Sequence, residues 1–260
     1  MRMGIMGNRE VGFDDIGHGA TLVLLHGIMS DRSVFDPLAS KLANDHRVIT
    51  VDLRGHGQST PGHDYELGGL ADDVLALLSA LEVRSASFIG WSMGGTVAMD
   101  IALRHPGVVD RLVLVGSTPC LVQRPDWESG IPQEAAAALA QRLREDWNAG
   151  AEEFATSVLG PAPKEIRENY LRIACGTPQD VTLACFDSIG GLDARPRLTS
   201  MPMPVAAIVG SEDRVCPVEA SAYLASTLGG KQFVIPGAGH APFLTVPARF
   251  ESELRRSLAL

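Results

Sequence analysis

The sequence predicts an α/β fold: a mostly parallel, twisted sheet with helices on both faces and a helical lid inserted over the carboxyl ends of the strands. Short apolar runs alternate with helical patterns in residues 1–117, and the alternation resumes in residues 197–260. Residues 118–196 contain alanine-rich helical patterns and no strand-like run. Because alternating strands and helices imply parallel pairing through right-handed crossovers, we predict a core of residues 1–117 and 197–260 and a lid of residues 118–196.

Composition and charge exclude several classes of function. The net charge of −9 argues against nucleic acid as a partner, because phosphates require a basic surface. No apolar run reaches the roughly 18–20 residues that span a bilayer, and the polar start lacks the apolar segment of a signal peptide. The four cysteines have neither C-x-x-C nor zinc-ligand spacing. We therefore expect a cytoplasmic protein, monomer or homodimer, with reduced and mostly buried cysteines and no membrane or nucleic-acid partner.

The first predicted strand is a continuous apolar run, which is typical of a strand buried on both faces, and the other predicted strands are short segments in which apolar residues predominate. They cover residues 21–25, 47–51, 87–89, 111–115, 205–209 and 231–235. Helical spacing and capping residues predict helices over 31–43, 67–82, 96–104, 133–148, 152–159, 164–174, 179–189, 218–228 and 247–258. Ligands of such sheets bind at the carboxyl ends of the strands, so we expect the functional residues there.

Ser92 is the candidate nucleophile. Residues 90–94 read Gly-Trp-Ser-Met-Gly between a predicted strand and a predicted helix. A serine on such a sharp turn is held in a strained conformation with its hydroxyl exposed. Gly90 and Gly94 flank it because a side chain at either position would collide across the turn. A bare Gly-x-Ser-x-Gly also occurs as an ordinary turn, so the prediction depends on partners elsewhere in the chain.

A base and an orienting carboxylate follow the last two predicted strands. His240 ends a short glycine-rich loop after the last strand, and Asp213 follows the strand before it. An isolated histidine or a turn aspartate is usually structural, but the chain order serine, aspartate, histidine is the order known for this arrangement. Glu212 is the near competitor for the carboxylate. Asp52 and Asp193 are more remote ones.

Two backbone amides are predicted to form an oxyanion hole. The Met93 amide lies at the start of a helix, where N–H groups lack intrahelical partners, and the Ile28 amide lies in the loop after the first apolar strand. We expect His26 to orient that loop by hydrogen bonding and His56 to stabilise a turn. For Cys216 we expect a packing role.

No cofactor or metal is expected. The sequence contains no His/Asp/Glu cluster with metal-ligand spacing and no Gly-x-Gly-x-x-Gly after a strand.

Together these residues resemble the α/β-hydrolase superfamily over about residues 12–260. Further motifs are similar to the pimeloyl-acyl-carrier-protein methyl ester esterases of biotin synthesis: Gly-Trp-Ser-Met-Gly-Gly at 90–95, Ser-Thr-Pro-Cys at 117–120 and Gly-His-Ala-Pro-Phe at 239–243. The resemblance implies a serine-dependent carboxylic ester hydrolase that acts on pimeloyl-type methyl esters presented on acyl carrier protein. It also implies that Trp91 and Phe154 lie at or beside the acyl pocket, together with Ile28.

Two features depart from those esterases. They have tryptophan after His-Gly, where this chain has Ile28, so the shape of the pocket must differ on that side. Their lids use arginines to engage an acidic carrier protein, whereas residues 120–197 have eight basic against twelve acidic side chains, a balance of −4. A local patch of Arg142, Arg144, Arg167 and Arg172 remains compatible with such a partner.

Alternatives keep the fold and change the chemistry. Enol-lactone hydrolases share the Ser-Met-Gly-Gly and Arg-Gly-His-Gly-x-Ser features, and carbon–carbon bond hydrolases are a third option. The fold also occurs in ligand-binding receptors, which retain the triad yet signal through the lid. Turnover that depends on Ser92 separates the enzymes from a receptor.

Overall fold

An eight-stranded sheet forms the centre of the computed structural model, which describes residues 2–6 and 9–260. The strands are β1 (Arg2–Met6), β2 (Arg9–Gly17), β3 (Thr21–Leu25), β4 (Arg47–Val51), β5 (Ala86–Trp91), β6 (Val109–Val115), β7 (Val205–Gly210) and β8 (Lys231–Ile235). Their order in the sheet is β1-β2-β4-β3-β5-β6-β7-β8. The pairs from β4 to β8 are parallel, as predicted, and β1 and β2 are antiparallel additions at one edge.

The parallel strands form because their residues are apolar on both faces. Leu24 of β3 pairs with Thr50 of β4 on one side and Ile89 of β5 on the other, and the Leu24 side chain is fully buried. All six residues of β7 are buried as well. Strands covered on both faces need no polar alternation, which is why continuous apolar runs located them.

The antiparallel pair of β1 and β2 is absent from the sequence prediction, which assigned no element to the first 17 residues. On β2, Val11 and Phe13 are buried, whereas Asp15 faces Arg47 with a 2.9 Å ion pair. Asp15 lies on the same face of the strand as Val11 and Phe13, so the apolar alternation stops after Phe13, and the glycines within the strand weaken the signal further. The strand is therefore stabilised by its pairing with β4 more than by its own pattern.

Ten helices surround the sheet in the described part of the chain. They are α1 (Asp36–Leu42), α2 (Leu67–Ala80), α3 (Met93–Arg104), α4 (Gln133–Glu145), α5 (Trp147–Leu159), α6 (Lys164–Ala174), α7 (Gln179–Gly191), α8 (Val218–Thr227), α9 (Pro242–Thr245) and α10 (Pro247–Leu258). Two helix starts differ from the prediction by five residues: α1 begins later than expected, because Arg32–Phe35 form a separate 3-10 helix, and α5 begins earlier than expected. The Asp146 carboxylate accepts a hydrogen bond from the Ala149 amide and so caps α5 at this earlier position.

The four helices α4 to α7 lie between β6 and β7 in the chain, and α5 and α6 contact the carboxyl ends of the strands or the loops that follow them. The His240 amide donates to the Val158 carbonyl of α5 at 3.1 Å, and the Tyr170 ring of α6 packs edge-on against Trp91. These contacts support a lid of residues 118–196, whose boundaries stay a prediction. No helix in residues 2–6 and 9–260 combines the length and apolarity that crossing a membrane requires.

Candidate active site

Ser92 occupies a strained turn between β5 and α3. Its backbone has φ 54° and ψ −120°, a conformation that side-chain-bearing residues rarely adopt. A side chain at Gly90 would collide with the Gly94 carbonyl, and one at Gly94 would collide with the Leu25 carbonyl. The clash at Gly90 lies across the turn, as predicted, whereas the clash at Gly94 is with the end of the neighbouring strand β3. The predicted strained backbone at Ser92 is confirmed.

His240 and Asp213 meet at the ends of the last two strands. The His240 Nδ1 lies 2.9 Å from Asp213 Oδ2 and 3.1 Å from Oδ1. Asp213 Oδ1 also accepts hydrogen bonds from the amides of Val215 and Cys216. The carboxylate is thereby held in one orientation, and the imidazole Nδ1 proton points to it, which leaves Nε2 as the basic nitrogen.

The competing carboxylates face other partners. Glu212 is exposed, although it is the neighbour of Asp213 in the chain. Asp52 forms a buried ion pair with Arg32, and Asp193 pairs with Arg195 at 2.6 Å. Asp213 is therefore the carboxylate that contacts His240.

Trp91 anchors the histidine loop. Its indole N–H donates to the His240 carbonyl at 2.9 Å, and its ring lies 5.6 Å from the imidazole between centroids. The Phe243 ring packs edge-on against the other part of the indole. Trp91 is buried and next to Ser92 in the chain, so it joins the turn of the serine to the loop of the histidine.

The loop after β3 passes directly beside Ser92. A side chain at Gly27 would lie 3.1 Å from the Ser92 Cβ, which shows how closely the two backbones approach. Met29 has φ 51°, a left-handed conformation that is uncommon for residues other than glycine. Ile28 lies between these two residues in the chain, so it belongs to the loop that passes the serine. The role of the Ile28 and Met93 amides as an oxyanion hole stays a prediction.

Two buried histidines support this loop. The His26 Nε2 accepts a hydrogen bond from the Leu53 amide at 3.0 Å, and its Nδ1 donates to the Gly27 carbonyl at 2.7 Å. Burial lowers the pKa of His26 to about 4, so the ring is neutral near pH 7, as acceptance at Nε2 requires. His56 donates to the Arg54 carbonyl at 2.9 Å. The predicted positioning roles of both histidines are confirmed.

A small chamber lies in front of Ser92. Its volume is about 20 Å³. The residues that line it come from the nucleophile turn, from the segments after β6 and β7, and from the lid: Ser92, Met93, Thr96, Thr118, Leu121, Ile189, Leu192 and Cys216. The lid residues among them escaped the sequence prediction, because loosely patterned helices do not indicate which side chains face the core.

The predicted substrate-contact residues lie near this chamber without lining it. Among the described residues, Ile28, Trp91 and Phe154 are buried outside its walls. The Phe154 ring packs edge-on against Phe186 at 5.6 Å between centroids. Their contact with substrate stays a prediction. Cys216 is buried and lines the chamber wall, and burial raises the pKa of its thiol well above the usual range.

The described side chains offer no group of three or more His, Cys, Asp or Glu residues that could hold a metal ion.

Comparisons with known proteins agree with this geometry. A family model described as the alpha/beta hydrolase family matches residues 22–253. The chain is 32% identical over 250 residues to a pimeloyl-(acyl-carrier protein) methyl ester esterase of Nitrosomonas europaea, which covers 94% of this chain and 97% of that protein. It is also 30% identical over 241 residues to the karrikin insensitive 2 receptor IA of Petunia hybrida. That alignment covers 89% of this chain and 88% of the receptor.

A solved structure shows the same fold. An esterase from Exiguobacterium antarcticum superposes with a TM-score of 0.92 at 24% identity and covers 97% of this chain and 96% of that one. The predicted fold class and the resemblance to the pimeloyl esterases are thus confirmed, and so is the prediction of a carboxylic ester hydrolase, which the similarity to the Nitrosomonas europaea esterase supports. The chain belongs to the alpha/beta hydrolase family.

Proposed function

We propose that this protein is a serine-dependent carboxylic ester hydrolase that uses Ser92, His240 and Asp213 and acts on pimeloyl-type methyl esters. The observation that carries the proposal is the buried contact of His240 Nδ1 with Asp213 at 2.9 Å. This contact lies at the same edge of the sheet as the strained turn of Ser92. A hydroxyl needs a base, and the base needs a group that orients it.

The first half of the reaction forms an acyl-enzyme. The Ser92 oxygen attacks the ester carbonyl carbon while His240 Nε2 takes the hydroxyl proton, and Asp213 stabilises the imidazolium through Nδ1. The amides of Ile28 and Met93 donate to the oxyanion, and such a donor typically contributes about 10²–10³-fold in turnover. The bond to the alcohol oxygen then breaks, and the imidazolium supplies the proton with which the alcohol leaves.

The second half regenerates the enzyme. His240 Nε2 removes a proton from a water molecule, whose oxygen attacks the acyl carbon of the Ser92 ester. The same amides stabilise the second oxyanion. The bond between the acyl carbon and the Ser92 oxygen breaks, the proton returns to that oxygen, and the carboxylic acid is released.

The pimeloyl-type substrate is supported by the similarity to the esterase of Nitrosomonas europaea, whose name states that substrate. Presentation on acyl carrier protein has weaker support from the lid. Arg167 is paired with Glu152 and Arg144 lies 3.6 Å from Asp187, so two of the four predicted lid arginines already have acidic partners.

The proposal is tested by measuring the hydrolysis of three kinds of ester: dimethyl pimelate, dimethyl esters of shorter diacids, and p-nitrophenyl esters from acetate to decanoate. We expect cleavage that requires Ser92 and a higher kcat/KM for dimethyl pimelate than for dimethyl esters of shorter diacids. Cleavage confined to short esters would reject the pimeloyl-type substrate and keep the hydrolase. Hydrolysis of a dicarboxylic enol-lactone without hydrolysis of acyl methyl esters would favour the lactonase instead.

A receptor is the second candidate because of the similarity to the Petunia hybrida protein. Calorimetric titration of the Ser92→Ala variant with dimethyl pimelate separates the two functions. An enzyme should lose turnover and keep affinity within about threefold. A receptor should bind a ligand and change the lid conformation, and its turnover should be slow or undetectable in the unmodified protein.

A further inference from the structure

The Ser92 chamber is too small for the acyl group of any ester beyond the simplest. Its 20 Å³ hold about one water molecule, since a water needs roughly 10–15 Å³. An acyl chain attached to Ser92 must therefore extend across one of the chamber walls. The identity of the wall that it crosses decides which acyl chains the protein accepts.

We propose that the acyl chain crosses the wall formed by Leu121 and lies in a groove between α4 and α7, which we call the lid groove. It is lined by residues 121–122, 131–140, 144, 186–187 and 190–191, with gaps. This inference rests on the function proposed above, and it assigns the acyl-binding subsite and the residue that separates it from the nucleophile.

The lid groove has the size and the surface that an alkyl chain requires. Its volume is about 350 Å³, within the usual range of roughly 300–1,000 Å³ for small-molecule sites. Ile131, Ala137, Leu139 and Phe186 supply apolar walls. Gln133, Arg144 and Asp187 are exposed at its rim, so the far end of a chain can meet water or carry a polar group.

Leu121 connects the two spaces because it lines both the chamber and the lid groove. Its carbonyl accepts a hydrogen bond from the Ile131 amide at 2.8 Å, so the backbone there is held and opening requires rotation of the side chain alone. Two neighbouring residues of α7 lie along the same route. Ile189 lines the chamber, and the next residue, Gly190, lines the lid groove.

A second groove offers the alternative route and is less suited to an alkyl chain, because five of its ten lining residues are charged, against two of thirteen in the lid groove. Leu192 lines both the chamber and this groove of about 610 Å³. Its walls include Asp100, Arg104 and Arg197, which form ion pairs of 2.6 Å and 2.9 Å with one another. Contact of methylene groups with this charged surface would remove water from the charges without replacing its hydrogen bonds.

Gly190 and Ala137 allow the lid groove to be filled from two sides. A side chain at Gly190 would meet no atom within 4 Å, and Ala137 is exposed on α4. Gly190→Leu therefore adds apolar bulk where the Cβ meets no neighbouring atom, and Ala137→Phe adds it at an exposed position of the groove lining. The experiment measures kcat/KM for p-nitrophenyl acetate and p-nitrophenyl decanoate in each purified variant.

The matched controls carry the same bulk elsewhere. Ala138→Phe changes the next residue of α4, which is exposed and outside the groove lining. Gly68→Leu fills the second groove, where a side chain also meets no atom within 4 Å. Unchanged acetate hydrolysis in every variant shows that each one is folded and that Ser92 is active.

We expect Gly190→Leu and Ala137→Phe to lower kcat/KM for decanoate about tenfold or more and to change that for acetate by less than about twofold, because each lost methylene contact in an apolar site is worth roughly tenfold or more. Both controls should keep the wild-type ratio. Leu121→Ala should raise the decanoate-to-acetate ratio, since it widens the connection between chamber and groove.

Several results would overturn the inference. An unchanged decanoate-to-acetate ratio in both filling variants, or a loss that follows Gly68→Leu instead, would place the chain elsewhere. A ratio that does not rise in Leu121→Ala would remove the connection through Leu121. Wild-type hydrolysis of acetate but not decanoate would reject the acyl subsite and leave the proposed ester hydrolase standing, whereas absence of any Ser92-dependent hydrolysis would reject the function itself.

Discussion

The edge of the sheet and the lid hold their polar groups in different ways. At the sheet edge, His240 and Asp213 have side-chain exposures of 1% and 0%, and backbone amides orient the carboxylate. In the lid, the ion pair of Arg167 with Glu152 has exposures of 33% and 52%. A half-exposed pair of this kind contributes at most about 1 kcal/mol, so its partners can change with little cost.

The difference separates reaction from substrate within the proposed function. The groups that would carry out ester hydrolysis follow strands whose positions are set by the buried sheet. The walls that would select the acyl chain belong to helices packed on one another and on the sheet edge. Substitution in the lid should therefore change the substrate before it changes the reaction. The following experiments test how strongly the activity and the stability depend on the sheet edge, and the last one compares it with the lid.

The largest effect is expected at the nucleophile. Ser92→Ala should lower kcat for p-nitrophenyl acetate by at least about 10⁴-fold, because the attacking oxygen is removed. Ser117→Ala is a matched control, since the Ser117 hydroxyl donates to the Val115 carbonyl and belongs to no proposed step. Substantial turnover in Ser92→Ala would contradict the assignment of the nucleophile.

The next effect concerns the choice between two neighbouring carboxylates. Asp213→Asn should lower kcat about 10³–10⁴-fold, because the amide neither stabilises the imidazolium nor selects the Nδ1 tautomer. Glu212→Gln should leave kcat within about twofold, since Glu212 is exposed. Steady-state kinetics of the two variants show which carboxylate supports His240. Equal decreases in kcat would mean that Asp213 acts only through the negative charge that it adds to the loop.

The free energy of unfolding in acid should depend on His26 and His56, which are buried near the Ser92 turn. Residues 118–196 contain no histidine, so the lid does not contribute to this effect through histidine protonation. Burial lowers the pKa of His26 to about 4 and that of His56 to about 3, against about 6.5 in an unfolded chain. Below pH 6.5 the unfolded state binds protons that the folded state does not, so the free energy of unfolding falls as the pH decreases.

Between pH 7 and pH 5 the loss should be about 2 kcal/mol for each of the two histidines. Urea unfolding at both pH values, with wild type and His56→Asn, measures it. The variant is less stable at pH 7, and its further loss at pH 5 should be about half that of the wild type. An equal loss in the two proteins would show that other groups cause the acid sensitivity.

The last comparison concerns apolar side chains of the two regions, and its smallest expected effect lies in the lid. Leu24→Ala in β3 should cost about 2–5 kcal/mol of unfolding free energy, because Leu24 is fully buried and leaves a cavity. Leu171→Ala in α6 should cost only about 1 kcal/mol, since Leu171 is half-buried. Denaturant unfolding monitored by circular dichroism compares them, and similar costs would mean that the lid is packed as firmly as the sheet.

Local patterns predicted the elements whose signals lie within a few residues. The helix Lys164–Ala174 and the strand Lys231–Ile235 have the predicted bounds, because capping, periodicity and apolar runs are read along the chain. The pair of β1 and β2 was missed because each strand has a weak pattern and depends on a neighbour for its stability. The early start of α5 was missed because the cap at Asp146 lies before the apolar spacing begins.

The sequence by itself determined the alternation of strands and helices, the strained serine turn and the chain order of Ser92, Asp213 and His240. Only the tertiary structure decided that Asp213 rather than Glu212 contacts His240, that Trp91 bonds to the histidine loop, and that Leu121 lies between the serine chamber and the lid groove. The reason is physical: turns and buried strands follow from local sterics and apolarity, whereas these contacts join residues that are distant in the chain and depend on how whole elements pack.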